Sequence, residues 1–415
     1  MRLLVIADDF TGALDTGVQF SNLGIKTLVT TNYQQIMTND DIPDVQVLVV
    51  DTESRYLSPG DAYARVSELI KWAQKTDIKH IYKKVDSALR GNVAGEICAI
   101  VDQFPQEMIP FIPAFPEINR IVKDGKLYID GIPVDESVFG KDPYEPVTES
   151  NILQRLFDEQ GIKGSLCRSA NTIENQTGLI LFDSETSEDL NLIADMLLVS
   201  NQFQISVGCA GFAKQLANKL FPMQNHKYSK EVGGLVVICG SVNEVTEQQI
   251  IKATQSGAIR YSLTCQQLMD NQYWNSKEGK LELTEMQNSL KRDEIVIFET
   301  LSQQTKLDLN KYKETNNQLD SDIRFKIGQA LGVLSQFLLE NDSRTFLFTG
   351  GDTLFQCMKV LGVEEISPLY ELADGVVVSQ FIWKDKRIMV ITKSGGFGAP
   401  ELFIDIHQLH KNERG

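Results

Sequence analysis

MRLLVIADDFTGALDTG (1–17) begins with an apolar run, Leu3 to Ala7, that stops at two carboxylates, Asp8 and Asp9. Thr11, Gly12, a third acid at Asp15 and Gly17 follow at once. A short apolar run closed by turn residues and followed by a helical period reads as strand, turn and helix. Thr11 and Gly12 suit a tight turn into a helix expected from near Ala13, whose free N–H groups attract an anion. Alternation along a strand sends Asp8 and Asp9 to opposite faces, so at most one caps the helix while the other faces a cleft. By itself the stretch also fits an N-cap beside a solvated acid.

The same unit recurs along the chain. QVLVVDT, KHIYKKVD, IPFIPAF, GLILFDS, FQISVGCAG, LVVICGS, EIVIFET, TFLFTGGDT and RIMVITKSGG are further short apolar runs. Most lead into stretches of helical period such as DAYARVSELIKWAQK and DIRFKIGQALGVLSQFLLE. Strands alternating with amphipathic helices predict an α/β fold with largely parallel sheets. Ligands of such sheets bind at the carboxyl ends of the strands. Those ends here read ADD, DTES, KVDS, CGS, TGGDT and KSGG, so the chemistry is concentrated where the fold would use it. The polar segment FPMQNHKYSKEVGG (221–234) marks a boundary, giving two α/β domains, 1–228 and 229–415. PAFPEINRIVKDGKLYIDGIPVDES, with its prolines, glycines and alternating residues, reads as a hairpin excursion from the first domain.

Composition narrows the partners. Of 415 residues, 56 are acidic and 40 basic, for a formal net charge of −16. That balance disfavours a nucleic-acid backbone or an anionic membrane as partner, and any basic cluster becomes informative. The six cysteines are scattered without a C-x-x-C pair, as expected of reduced, structural thiols. No apolar window approaches a membrane-spanning length, and a soluble, cytoplasmic protein is expected.

Three strand ends carry the chemistry of the N-terminal half. ADDFTG supplies Asp8, Asp9 and Thr11; DTESRY supplies Asp51, Ser54 and Arg55; YKKVDSALRGN supplies Lys83, Lys84, Asp86, Ser87 and Arg90. A phosphatase nucleophile of the haloacid-dehalogenase type needs Asp-x-Asp-x-Thr. Counted from Asp8 that frame fails at Phe10, and counted from Asp9 at Thr11. The third set gathers positive charge in an acidic chain, with a helix expected to start at Ser87. Arg90 could hold a small carboxylate bidentately while Asp86, Ser87 and the lysines meet hydroxyls. A solvated lysine pair with a capping Asp86 is the plainer alternative.

Glycine dominates the strand ends of the C-terminal half. TGGDT (349–353) precedes the helical LFQCMKVLG, and its two glycines let backbone N–H groups approach phosphate oxygens. KSGGFGAP (393–400) and CGSVNEVTEQQI (239–250) are further turns of the kind. Together they predict a nucleotide-phosphate cradle. The absence of G-x-x-x-x-G-K-[ST] and of G-x-G-x-x-G disfavours a P-loop and a dinucleotide site. His80, His226, His407 and His410 share no strand end, and HQLH reads as a solvated helix, so no metal ligand is assigned.

ADDFTGALDTG, KKVDSALRGN, PAFPEINR, CAGFAK, CGSVNEVT, TGGDT and TKSGGFG, in this order, resemble the motifs of the four-carbon acid sugar kinase family. Its members include D-threonate, L-threonate, D-erythronate and 3-oxo-tetronate kinases. The resemblance implies an N-terminal domain for the acid sugar and a C-terminal domain for ATP. Carried over by motif, Asp8, Asp9, Thr11, Ser54, Arg55, Lys84, Asp86, Ser87 and Arg90 fall to the acid. Ser241, Gly350, Gly351, Asp352, Thr353, Gly395, Gly396 and Gly398 fall to ATP. Asn243 and Glu244 stand where family members often read Ser-Pro. Ile118 and Asn119 replace a usual small-Gly pair before Arg120, where asparagine still tolerates a left-handed backbone.

The expectation is therefore an ATP-dependent kinase acting on the terminal hydroxyl of a four-carbon acid, by in-line transfer in an interdomain cleft that closes. Asp9, then Asp8 or Asp86, would accept the hydroxyl proton. Arg90 with Lys83 or Lys84 would pair the carboxylate, and Mg²⁺ would sit between the phosphates. No nucleic acid or membrane is expected as partner, and a homodimer stays open. Two other classes remain: a phosphohydrolase acting on a small phosphorylated acid, and a non-catalytic sensor of ATP or a metabolite.

Overall fold

Leu3–Ala7 and Val47–Asp51 are buried along their whole lengths, which suits strands enclosed on both faces of a parallel sheet. The computed structural model describes residues 2–38, 43–142, 145–168, 177–200, 202–222, 234–240, 243–289, 295–340 and 344–411. The chain divides into two units, Met1–His226 and Lys227–Gly415. The boundary expected at 228/229 and the candidate Ser241 lie outside the described residues.

The first unit runs β1 (Leu3–Ala7), α1 (Phe10–Ser21), β2 (Thr27–Thr30), α2 (Tyr33–Thr38), β3 (Val47–Asp51), α3 (Pro59–Ala73), β4 (His80–Lys84), α4 (Val93–Gln103) and β5 (Met108–Ile112). It continues through β6 (Arg120–Lys123), β7 (Lys126–Ile129), β8 (Ile132–Pro133), α5 (Ile152–Gln160), β9 (Gly164–Cys167), β10 (Gly178–Phe182), α6 (Ser187–Val199), β11 (Ile205–Gly208) and α7 (Ala210–Leu220). Its sheet has the order β2-β3-β1-β4-β11-β5-β10-β9, and every pairing is parallel. Register levels the strand ends: Ala7 pairs with Asp51 and with Lys84, and Lys84 with Gly208. The segments ADD, DTESR, VDSALR and CAG therefore leave the sheet side by side.

The excursion after β5 is a separate antiparallel sheet, β6-β7-β8. Both its turns are Asp-Gly pairs, Asp124-Gly125 and Asp130-Gly131, with positive φ at each residue as tight hairpins require.

The second unit runs β12 (Leu235–Cys239), α8 (Glu244–Gln255), β13 (Ile259–Ser262), α9 (Cys265–Met269), α10 (Lys277–Ser289), β14 (Ile295–Glu299), α11 (Gln303–Asn316) and α12 (Asp320–Glu340). Then come β15 (Thr345–Thr349), α13 (Gly351–Leu361), β16 (Glu365–Ala373), β17 (Val376–Trp383), β18 (Lys386–Lys393) and α14 (Leu402–Lys411). Strands β13-β14-β12-β15-β18 are parallel, and β18-β17-β16 form an antiparallel meander. The meander departs from the expected helix–strand alternation. Its turns, at Gly375 and at Lys384-Asp385, hold positive φ, and the Asp-Gly before β17 is its hairpin signal. Cys239, Thr349 and Lys393 end level, bringing three glycine-bearing turns together.

Two helix starts differ from expectation. Helix α1 begins at Phe10 rather than near Ala13, because Asp9 itself caps it by accepting the Gly12 N–H at 2.9 Å. Ser87 starts no helix. The Asp86 carboxylate takes the N–H groups of Ala88 and Arg90, and Leu89 and Gly91 hold φ of 61° and 78°. The chain turns there, and α4 waits until Val93.

Candidate functional site

In the N-terminal unit the levelled strand ends assemble a charged network. Arg55 donates through Nε to Asp8 Oδ2 at 2.8 Å, and its Nη2 lies 2.8 Å from Asp9 Oδ1 and 3.7 Å from Asp86 Oδ1. Burial alone would raise Asp8, but Arg55, Lys84 and Lys83 outweigh it and hold the carboxyl below its usual range. Asp86 is held well below its range: burial is overcome by Arg90 and Arg55. Asp9 goes the other way, raised by burial, with Asp8 and Asp86 as like charges nearby. Its Oδ1 takes both Gly12 N–H and Arg55, while Oδ2 accepts no hydrogen bond from the described residues.

The candidates hold unequal positions. Arg90 is spent on Asp86, with Nε at 2.9 Å and Nη2 at 3.0 Å from the two carboxylate oxygens, and Asp142 lies 3.6 Å from Nη1. Lys83 is fully buried against Glu96 at 3.0 Å, and Ser54 also donates to Glu96. Lys84 is buried, donates to the Val85 carbonyl at 2.8 Å, and has no carboxylate within 4 Å among the described residues. A Cβ at Gly12 would sit 2.7 Å from its Nζ, so glycine there admits the lysine to the start of α1. Thr11 lies half-buried in the first turn of α1. Asp51 sits apart as a buried acid raised well above its range by burial and Glu53, its Oδ2 without a partner among the described residues.

The motifs leave several members of the network unmarked. Glu96 carries a signal, a single acid in the apolar helix VAGEICAIV, where a buried charge demands a partner. Asn92 ties the second and third strand ends by donating to the carbonyls of Ser54, Arg55 and Leu57. Gly91 permits this approach, since a Cβ there would meet Arg55 Cγ at 2.8 Å. Arg120 donates to Ser87, and the Phe139 ring lies 5.0 Å from its guanidinium and 5.2 Å from that of Arg90. Glu145 is pushed up to about 7 by burial, against the pull of Arg55 and Arg90. Nothing in the polar stretch around Glu145 distinguishes it from a surface acid.

The C-terminal unit builds its turns from backbone. Gly350 caps α13 at φ 94° and donates its N–H to the Lys393 carbonyl at 2.7 Å. Gly351 and buried Thr353 fall in the first turn with exposed Asp352, and Thr353 donates to the Thr349 carbonyl at 3.1 Å. The loop after β18 is clamped to α8 by its carbonyls. Thr246 and Lys393 donate to Gly395 O at 3.0 and 2.8 Å, and Gln249 donates to the carbonyls of Phe397, Gly398 and Ala399. The N–H groups of Gly395, Gly396 and Gly398 make no hydrogen bond among the described residues. With its carbonyls turned inward and these amides left over, the loop presents N–H groups of the kind that backbone concavities offer to anions. Lys393 is fully buried, donates also to Thr246 Oγ1 at 2.9 Å, and is lowered to about 8 by burial. Among the described residues no group of three or more His, Cys, Asp or Glu side chains is placed to hold a metal ion, and no helix is long and apolar enough to cross a membrane.

Comparison with known proteins follows this division. A family model described as a sugar-binding N-terminal domain matches residues 3–216, and one described as a nucleotide-binding C-terminal domain matches residues 236–403. D-threonate kinase of Salmonella typhimurium is 27% identical, covering 98% of this chain and 97% of its own. D-threonate kinase of Bordetella bronchiseptica is 28% identical over 99% and 98%. D-erythronate kinase of Heliobacterium modesticaldum is 24% identical over 89% of both. A solved Salmonella typhimurium structure superposes with a TM-score of 0.78 at 20% identity over 97% of this chain and 98% of that one, a likeness of fold.

Proposed function

The chain belongs to the four-carbon acid sugar kinase family, and from that premise we propose that it transfers the terminal phosphoryl group of ATP to the terminal hydroxyl of threonate, erythronate or 3-oxo-tetronate, forming the 4-phosphate. The acid is bound by the N-terminal unit and ATP by the C-terminal unit. The observation that carries the reading is Asp9, a carboxylate raised by burial with one oxygen uncommitted among the described residues, fixed beside Arg55 at a strand end.

Phosphoryl transfer asks for positioning and charge neutralisation more than for covalent chemistry. Asp9 Oδ2 accepts the proton of the attacking hydroxyl, for which a raised pKa is the better match. Asp8 and Asp86, each held ionised by arginine, orient Arg55 and Arg90 around the acid. Thr11, Ser54, Ser87, Lys83 and Lys84 complete the acid's surroundings, and Asp51 stands behind them as a buried carboxyl raised above its usual range by burial and Glu53. The N–H groups of Gly395, Gly396 and Gly398, with Gly350, Gly351 and Thr353 at the start of α13, receive the ATP phosphates. Asp352, the exposed carboxylate of that turn, would hold a Mg²⁺ bound with the nucleotide, and the ion would supply neutralisation of the phosphate charge.

Coupled measurement of ADP release over a panel of tetronates tests the reading. Acid-dependent ADP formation is expected. Phosphate release from a phosphorylated acid without ATP would establish the phosphohydrolase instead, and binding of ATP and acid without turnover would establish the sensor.

A further inference from the structure

The cations of the N-terminal unit differ in what they have left to offer. Arg55 is answered by Asp8, Asp9 and Asp86, Arg90 by Asp86 and Asp142, and Lys83 by Glu96. Arg120 is different. Its guanidinium donates to the Ser87 hydroxyl and lies over the Phe139 ring, and no carboxylate of the described residues comes within 4 Å. A guanidinium has five donors, so most of the Arg120 fork is uncommitted.

The backbone beneath it is rigid. Phe115 and Arg120 exchange two backbone hydrogen bonds, at 2.7 and 3.1 Å, around a single 3-10 turn at Pro116–Ile118. Asn119 closes that turn in the left-handed region at φ 55°. A Cβ at Gly211 would lie 2.9 Å from both Ala114 O and Phe115 Cδ2, so the start of α7 packs directly on the loop. Ser87, the other fixed point, leaves the sheet beside Asp86 in the candidate acid site.

We propose that Arg120, rather than Arg90, seats the carboxylate of the acid substrate. The inference rests on the kinase reading and deepens it. A half-buried guanidinium without an anion carries a desolvation cost that a ligand carboxylate offsets, and its fork matches a carboxylate bidentately. Arg90 already has its charge answered by Asp86 along its Nε–Nη2 edge, and its Nη1 lies 3.6 Å from Asp142, so a second carboxylate there would face two acids. Arg120 thus confers preference for an acid over the neutral polyol of the same length, and Phe139 holds its guanidinium plane in place.

The test is steady-state kinetics of the full chain with wild type, R120Q and R120K, alongside thermal unfolding. Acid-dependent ADP release by the wild type tests the kinase reading; the ratio of variant to wild-type KM for the acid tests Arg120. R120Q should raise that KM about 100-fold, the scale of one lost charge-assisted pair, with KM for ATP unchanged. R120K, which keeps a cation without the fork, should recover part of the loss, and it serves as the reading if R120Q fails to fold. A KM for the acid within threefold of wild type in a folded variant overturns the assignment. So does a fall in kcat alone, which would place Arg120 on the transferring phosphoryl group.

Discussion

Buried charge is handled in opposite ways at the two sets of strand ends. In the N-terminal unit Asp8, Asp9, Asp86 and Arg55 answer one another within 4 Å, and Lys83 answers Glu96. In the C-terminal unit the fully buried Lys393 reaches, among the described residues, a hydroxyl and a carbonyl, at 2.9 and 2.8 Å. A small hydroxylated acid has to be told from its isomers, which calls for directional groups locked in a network. A polyphosphate can be gripped by an array of N–H groups with net positive potential, which on the proposed reading is the role of glycine backbone and one interior cation.

The heaviest blow to this contrast is R55A. It strips Asp8, Asp9 and Asp86 of their shared partner, and stability should fall by about 3–5 kcal/mol, read from denaturant unfolding. A loss below about 1 kcal/mol would show that the network is not a framework. Next comes D9N, which keeps a capping side chain for α1 and so should leave stability nearly untouched. Its kcat should drop about 100- to 10,000-fold, the range for removing a general base. An unchanged kcat would transfer that role to another acid.

K393M probes the opposite arrangement. Removing the clamp on Gly395 should raise KM for ATP about tenfold, roughly the net worth of one charge-assisted hydrogen bond, without harming stability, since no buried carboxylate loses a partner. The pH dependence has a definite sign. Lys393 is lowered to about 8 from 10.5, so the penalty of burying its charge is complete below about 8 and is relieved as pH rises toward 10.5. Stability contributed by this site therefore rises over that window while ATP affinity falls, and titrations of both at pH 7 to 10 separate the trends. A KM for ATP that stays flat across the window would show the charge to be dispensable.

The smallest effect belongs to Glu145. Raised from 4.5 to about 7, it favours the folded state in its protonated form, a contribution present below about pH 4.5 and lost as pH rises through 7. E145Q should flatten the unfolding temperature between pH 5 and 8 by a few degrees relative to wild type, as a change of about 1 kcal/mol would. A parallel pH profile would remove Glu145 from the network.

Much of the fold and of the site is legible in the amino-acid sequence. The apolar runs mark the central parallel strands, and their acid- and glycine-bearing ends mark the segments that converge. The β16-β17-β18 meander is harder to see, because its alternating apolar residues sit in a chain of βα units and only the Asp-Gly turn before Val376 sets it apart. The turn at Ser87 is hidden because it depends on Asp86 holding two amides, a choice between competing local hydrogen bonds. Thr246 and Gln249 give no signal, since polar residues on an amphipathic helix ordinarily face water.

Sequence by itself determined the α/β class, the strand ends that matter and the chemical contrast between an acid-and-base half and a glycine half. These follow from period and turn chemistry, which act over a few residues. Tertiary structure alone decided which charges are spent. Asp8 meets Arg55 across 47 residues of chain because β1 lies between β3 and β4 with their ends level. Arg90 looks like the available cation in the linear sequence but is closed on Asp86, while Arg120, delivered by a hairpin excursion, keeps its fork open. Pairing is set by strand order and register, and neither is encoded in the spacing of the residues that pair.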